Sequence, residues 1–499
     1  MSAQLFIWTA FAVLISAYLL RPKRTPFPIV NKYPNDFLGR RAAREAQENA
    51  RKLITEGLAK HQGPIAINLL HGQKIILPAS LAGWVKSNKD LDHKQLVKDD
   101  YFAGIPGFEA QSVLHGDDET PKRLIITKLG QNDSTMGVMN ESLARGFRAL
   151  WGDDTEWHAI NWHQDTGGII ARAASSVFVG PELADDGNWL GLVQGYVTSY
   201  FMAVYDLHAY PAWTRSIVHW FLPNAKACRK TVPQVRAIVN DVLRKRQDEV
   251  DQAKREGKSA PEYNDALAWA QAASKGNIEP GDLQLSLAMA AFFTTAEMFR
   301  AILVDIVRHP ELVEPLRKEV WEQISAHGIS VAAANNMVLL DSFMKESQRL
   351  SSGLVVLERA VLKDTALPDG RILPRGSQIM VDSTNIWDSN TYPNPDQFDG
   401  YRFLRKREAG DTTSQFVQTS QDFHVFGGGR HICPGRFFAS NELKLALAHI
   451  LLKYDIRFAE GCDPKPIMNG FYAMVDPTVR LEVKRRMDGA AEGILGERS

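Results

Sequence analysis

Phe426-Gly427-Gly428-Gly429-Arg430-His431-Ile432-Cys433-Pro434-Gly435 is the stretch on which the reading of this chain turns. It runs straight into a helical pattern and so delivers one cysteine to a helix N-terminus, where unpaired backbone N–H groups and a partial positive charge favour the thiolate. A thiolate is a metal ligand. The glycines at 427 to 429 carry no Cβ, so the backbone can turn tightly and lie against a flat ligand, while Phe426 can cover that ligand's edge. Two blander readings compete: a glycine-rich turn with a merely buried cysteine, and a zinc site built from His424, His431 and Cys433. The zinc site lacks paired Cys-x-x-Cys ligands, and Cys228 and Cys462 stand alone.

Around that stretch lie 499 residues, 44% of them hydrophobic, with 58 basic against 58 acidic side chains. Apolar content is ample for a large core, and a net charge of zero implies no nucleic-acid partner. Three scattered cysteines argue against a disulfide framework and for a reducing compartment. No internal repeat or long linker breaks the chain, so one large fold over 36–486 is expected.

Residues 3–20 read AQLFIWTAFAVLISAYLL, uncharged and just long enough to span a bilayer. Arg21, Lys23 and Arg24 follow directly, so the positive-inside rule puts Met1 in the lumen and the rest in the cytosol. A cleaved signal peptide would want its charge before the apolar run and a small-x-small site after it. Pro22, Pro26 and Pro28 stiffen a basic, proline-rich hinge over 21–35. At the other end, 487–499 reads as a disordered tail.

Between the termini the pattern is mainly α with small β sheets. Residues 36–63 are helical, and 65–69 and 75–77 form a hairpin about a His71-Gly72 turn. Helical spacing dominates 81–324, broken by a loop at 101–121 and by Pro- and Trp-rich residues at 210–223; 248–280 reads as an exposed helix end and connector. Strands return at 355–361 and 378–382, with a Pro368-Asp369-Gly370 turn, and 405–421 is polar loop. The span 281–308 is the longest helical candidate, about 42 Å, with Asp282 as N-cap and Pro310 beyond its end. Gln284, Ser286, Glu297 and Arg300 within it argue against a second membrane span.

Phe426, Gly429, His431, Cys433 and Gly435 match the Phe-x-x-Gly-x-(Arg or His)-x-Cys-x-Gly loop of the cytochrome P450 family, which this chain resembles. The resemblance implies the P450 fold, haem b as cofactor and Cys433 as axial iron ligand, whose sulfur favours O–O cleavage. Ala290-Ala291-Phe292-Phe293-Thr294-Thr295 is similar to the family's segment over the oxygen-binding face, which makes Thr294, with Thr295, the candidate for proton delivery. Phe293 stands where an acid is common, so water or a substrate hydroxyl would replace a carboxylate in the relay. Glu-x-x-Arg occurs five times, but only Glu346 and Arg349 are followed by the strands, by a 395–403 segment carrying Arg402, and by the cysteine loop; these three match the family's supporting ion triad. Arg359 and His431 match its propionate partners, with Arg430 able to compensate for the weaker histidine. The usual Trp-x-x-x-Arg is missing near 124–129, where Lys128 is the stand-in. The segments 167–190 and 339–359 resemble fungal secondary-metabolite members.

The same resemblance implies an endoplasmic-reticulum-anchored monooxygenase. Electrons would come from a separate NADPH-cytochrome P450 reductase and from cytochrome b5, because the chain shows no flavin or dinucleotide domain of its own. Docking would use the surface near Cys433, with Lys444, Arg436 and Arg405 as contacts. The family's pattern makes Phe102, Phe108, Phe293, Leu354, Val356 and Phe471 pocket residues, an apolar set suited to a polycyclic terpenoid, meroterpenoid or prenylated indole. Two other functions stay open: a thiolate-haem isomerase or dehydratase that uses no O2, and a non-catalytic haem- or lipid-binding membrane protein.

Overall fold

Apolar side chains recurring at three- and four-residue spacing become helices around one main core in the computed structural model, which describes residues 25–36, 39–69, 72–130, 132–274, 277–487 and 493–496. The expected span at 3–20 and the His71 of the hairpin turn lie outside the described residues. From Thr25 on the expected hinge is docked: Phe27 is buried, and Val30 N–H donates to Ala66 O at 3.1 Å.

Helix Pro280–Arg308 runs through the core, touching Asp133–Leu150's neighbour Trp162–Phe178 on one side and Pro223–Arg255 on the other. Its N-cap is Glu279, whose side chain accepts from Gly281 N–H, not the expected Asp282. Pro280 explains the shift, since a proline at the first helical position has no N–H to satisfy and starts the helix early. Asp282 instead takes two bonds of 2.8 Å from Arg236. Among the described residues this is the one helix long and apolar enough to cross a bilayer, yet most of that stretch is buried in the protein. Its Arg300 donates to Thr166 Oγ1 at 2.9 Å and His163 O at 2.8 Å, polar partners that lipid would not provide.

The longest described helix is Pro223–Arg255, 33 residues with Pro233 inside. An interior proline removes one ladder bond, and burial of Cys228, Val232, Val235 and Val239 offsets that loss. The expected connector at 248–280 is partly ordered into helix Ala266–Ser274, with Ala266, Leu267 and Ala270 buried. Next to the start of the 33-residue helix, Trp213, Ile217, Trp220 and Phe221 stay 68%, 62%, 53% and 81% exposed, an apolar surface of the kind that meets lipid or a partner.

Five strands make the main sheet: β1 (Ile65–Leu69), β2 (Gly72–Leu77), β3 (Leu91–Asp92), β4 (Val355–Val361) and β5 (Gln378–Asp382), in the order β1-β2-β5-β4-β3. The β1–β2 pair is antiparallel with Ile65 opposite Ile76, and β2 meets β5 in parallel, Ile75 beside Ile379. Both faces are buried, Ile65 and Ile67 in one cluster and Ala66, Ile75 and Leu77 in another. The expected loop at 405–421 begins as the end of helix Arg402–Glu408; beyond it Lys345 holds the chain by donating to the carbonyls of Thr413, Gln415 and Gln418 at 2.7, 2.7 and 3.0 Å. Part of the expected disordered tail is also docked, with Leu495 buried and its carbonyl accepting from Asn140 Nδ2 at 2.8 Å.

Candidate active site

The cysteine loop closes on itself through Cys433 N–H donating to Phe426 O at 2.8 Å and Gly427 N–H to His424 O at 2.7 Å. Gly427 and Gly429 have φ of 74° and 62°, and a Cβ on Gly429 would stand 2.5 Å from the Lys86 carbonyl, so only glycine fits there. Helix Arg436–Lys453 follows, capped by Gly435. Burial raises the Cys433 thiol's pKa, while the backbone N–H groups of Gly435 and Arg436 bond to the sulfur and pull the other way. A cation bound to the sulfur would reverse the balance and fix the thiolate.

Cys433 lies in the wall of a cavity of about 530 Å³, together with Ala290, Ala291, Thr294 and Thr295 of the central helix. The two alanines leave space. Thr294 Oγ1 donates to Ala290 O at 2.9 Å, and its side chain is open, whereas Thr295 is buried. Of the apolar pocket candidates, Val356 is on the wall. Phe293 is off that wall, half exposed with its ring 6.1 Å from Phe201. Phe108 packs on Tyr200, Phe102 on His208, and Leu354 and Phe471 sit together behind the sheet.

One edge of the cavity is cationic. Arg359 is buried, donates to Glu358 O at 2.7 Å, and its Nε has no partner among the described residues. Burial pulls its pKa down to about 10, as for a cation awaiting an anion. His431 shares the wall; its pKa is lowered by burial although Asp92, 3.4 Å away, favours the charged form. Arg430 braces the loop instead, reaching Leu91 O at 2.9 Å and Asp92 at 3.1 Å, and is off the wall. Lys128 is exposed and off the wall too. The turn Ile125–Leu129 is π-helical, which rotates Lys128 outward. His93, Lys94, His115 and Lys122 occupy that edge in its place. Sequence reasoning missed these four, since no spacing links them; the fold brings His93 within 6.0 Å, ring to ring, of both His115 and His431.

These residues fit an iron porphyrin: one thiolate for the metal, apolar walls for the macrocycle, and an orphaned buried guanidinium with histidines and lysines for two carboxylates. Among the described residues no three His, Cys, Asp or Glu group as a metal site, so His424, His431 and Cys433 do not form the alternative zinc centre. His424 is buried and pushed down to about 4 by burial, which keeps it neutral.

Behind the loop, Glu346 takes 2.8 and 2.9 Å bonds from Arg349 and two of 3.1 Å from Arg402, all three side chains being buried. The arginines also hold loop carbonyls, Arg349 those of Ile386 and Pro395 and Arg402 that of Pro393. Of the expected docking cations, Lys444 is instead buried and paired with Asp341 at 2.7 Å, because helix Arg436–Lys453 is surrounded by protein along nearly its whole length. Arg436 donates to Cys433 O at 2.9 Å, and Arg405 is exposed and paired with Asp399.

The family model for cytochrome P450 matches residues 166–485. The chain is 34% identical to cytochrome P450 monooxygenase hepE of Aspergillus oryzae, over 96% of this chain and 90% of that one. It is 32% identical to cytochrome P450 monooxygenase cdmJ of Talaromyces verruculosus, over 98% and 97%. A solved structure of retinoic acid bound cyanobacterial CYP120A1 superposes with a TM-score of 0.66 at 14% identity, covering 92% of this chain and 99% of that chain, a likeness of fold. With the matched domain extending over most of the chain and these relatives over nearly all of it, the chain belongs to the cytochrome P450 family and is an oxidoreductase of its monooxygenase class.

Proposed function

We propose that the chain is a membrane-anchored monooxygenase of fungal secondary metabolism that inserts one atom of O2 into an apolar polycyclic molecule, a terpenoid, meroterpenoid or prenylated indole. The observation that carries this reading is that Cys433 and Thr294 share the wall of one cavity whose other sides are largely apolar. Haem bound there would supply oxygen activation driven by its thiolate ligand. Cys433 would hold the iron through Sγ, supported by the Gly435 and Arg436 N–H groups. Arg359 and His431, with His93, His115 and Lys122, would orient the cofactor's carboxylates. Thr294 Oγ1, now bonded to Ala290 O, can turn to hold a water at the cavity, and that water passes a proton through Oγ1 with no carboxylate at 293.

Electrons come from a separate NADPH-cytochrome P450 reductase, with cytochrome b5 as a second donor, approaching on the Cys433 side. The endoplasmic reticulum membrane is the site, held by the apolar segment at 3–20; the exposed Trp213, Ile217, Trp220 and Phe221 suit an apolar surface contact. Glu346, Arg349 and Arg402 support the loop and take no part in chemistry.

The test is the absorption spectrum of dithionite-reduced protein under carbon monoxide, for wild type and Cys433→Ser. A strongly red-shifted Soret band present in wild type and absent from the variant is expected; a haem-loaded variant that keeps the band overturns the ligand assignment. Turnover should require O2, NADPH and reductase. Turnover without them would make the chain an isomerase or dehydratase.

A further inference from the structure

Five consecutive residues of β4, from Val355 to Arg359, line the cavity. Burial alternates along it, with Val355, Leu357 and Arg359 buried and Val356 and Glu358 part-open, so the latter two lie on the same, more open face of the strand. A bulge interrupts the strand here: pairing with β5 shifts register between Val356 and Arg359, and Leu357 is held at φ 52°, a left-handed conformation unfavourable for a leucine. Backbone held in such a conformation often shapes a ligand site. Glu358 is thus part-open on the wall of an otherwise largely apolar cavity.

Glu358 is only partly satisfied by the protein. Its Oε1 accepts from Tyr472 OH at 2.9 Å, whereas a carboxylate offers about four acceptor positions. Neither neighbouring cation is free for Glu358. Lys74 is buried and pairs with Asp100 at 2.5 Å and with Gln378, and Arg359 donates to the Glu358 carbonyl and sits at the cofactor edge. The Glu358 carboxyl is thus left with one protein donor, the Tyr472 hydroxyl. Burial raises the Glu358 pKa, with Lys74 and the Tyr472 hydroxyl opposing it. Tyr101, also on the wall, flanks the spot, and its own carbonyl is occupied by Tyr200 OH at 2.7 Å.

We propose that Glu358 is a specificity anchor that accepts a hydrogen bond from a hydroxyl or ring N–H on an otherwise apolar polycyclic substrate. The inference rests on the cavity being the substrate site, and it narrows the substrate to molecules with a donor at one end. Glu358 positions and takes no part in oxygen chemistry.

The probes are carbazole and fluorene, tricycles of nearly the same shape that differ by N–H against CH2. Dissociation constants are read from quenching of the probes' own fluorescence in the full-length, haem-loaded protein. Wild type is expected to favour carbazole by about tenfold or more, the worth of one bond to a charged acceptor. Glu358→Leu should erase the preference, and Glu358→Gln, nearly isosteric and still an acceptor, should reduce it. The carbon monoxide band, recorded on the same samples, reports separately on folding and on the monooxygenase reading. A normal band with no carbazole preference in wild type, no carbazole binding, or a preference unchanged in both variants overturns the anchor while leaving the monooxygenase standing. Loss of the band in wild type sinks the broader reading instead.

Discussion

Thr294 shows how much one hydroxyl can decide. Its Oγ1 sits between a helix carbonyl, Ala290 O at 2.9 Å, and the cavity. With phenylalanine at 293, the relay proposed for Thr294 has no side-chain acid beside it on the helix. Thr294→Ala should therefore lower product formed per NADPH consumed by about tenfold or more, with the carbon monoxide band intact and Thr294→Ser restoring most of the coupling. Unchanged coupling in the alanine variant would remove Thr294 from the relay. The turn of the cysteine loop was legible in the sequence because one contiguous motif encodes both the proposed ligand and the turn that presents it. Arg359 was legible only through resemblance. His93, His115 and Lys122 were not legible at all, being gathered by folding from segments with no shared spacing.

At the scale of elements, the Glu346–Arg349 pair was readable as i, i+3 neighbours on one helix face, and Arg402 as the third member by its order before the loop. The energetic reason for the triad lies in its burial. Removing Arg402 leaves Glu346 paired with Arg349 but takes away buried charge-assisted bonds, a loss of about 1 to 3 kcal/mol. Arg402→Ala should lower the unfolding free energy by an amount of that order, read as a lower urea midpoint at unchanged slope, and also loosen the segment held at Pro393 O; a midpoint equal to wild type would mean the triad bears no load. Other elements were misjudged for identifiable reasons. The Asp282 cap gave way to Glu279 because Pro280 starts the helix. Lys444 looked like a surface cation because nothing local reveals that its helix is enclosed. The β4 bulge depends on pairing with β5, a contact across the sheet that strand pattern alone does not disclose.

For the molecule as a whole, buried acids set how stability follows pH. Asp305, on the central helix, has its pKa raised by burial from 3.8 to about 6. The folded chain therefore holds this proton more tightly than the unfolded chain, and the stability tied to it is present at low pH and lost as pH rises through about 6. A gap of about two pKa units is worth on the order of 3 kcal/mol at neutral pH. Asp305→Asn should then raise the urea midpoint at pH 7.5, and the gain should shrink by about half at pH 5. A gain that stays constant between the two pH values would show that the carboxyl is not the source.

The sheet carries a last consequence, for synthesis. Ile75 of β2 pairs with Ile379 of β5, so β2 waits for a partner 304 residues further on. At about 5 to 20 residues per second on the ribosome, that wait lasts roughly 15 to 60 seconds. Throughout it the β1–β2 hairpin has an unpaired edge on the β5 side, a template for joining the wrong chain. The nascent protein is thus most exposed to aggregation long before the cofactor loop is made, and its yield in a cell should depend on what shields that hairpin in the interval.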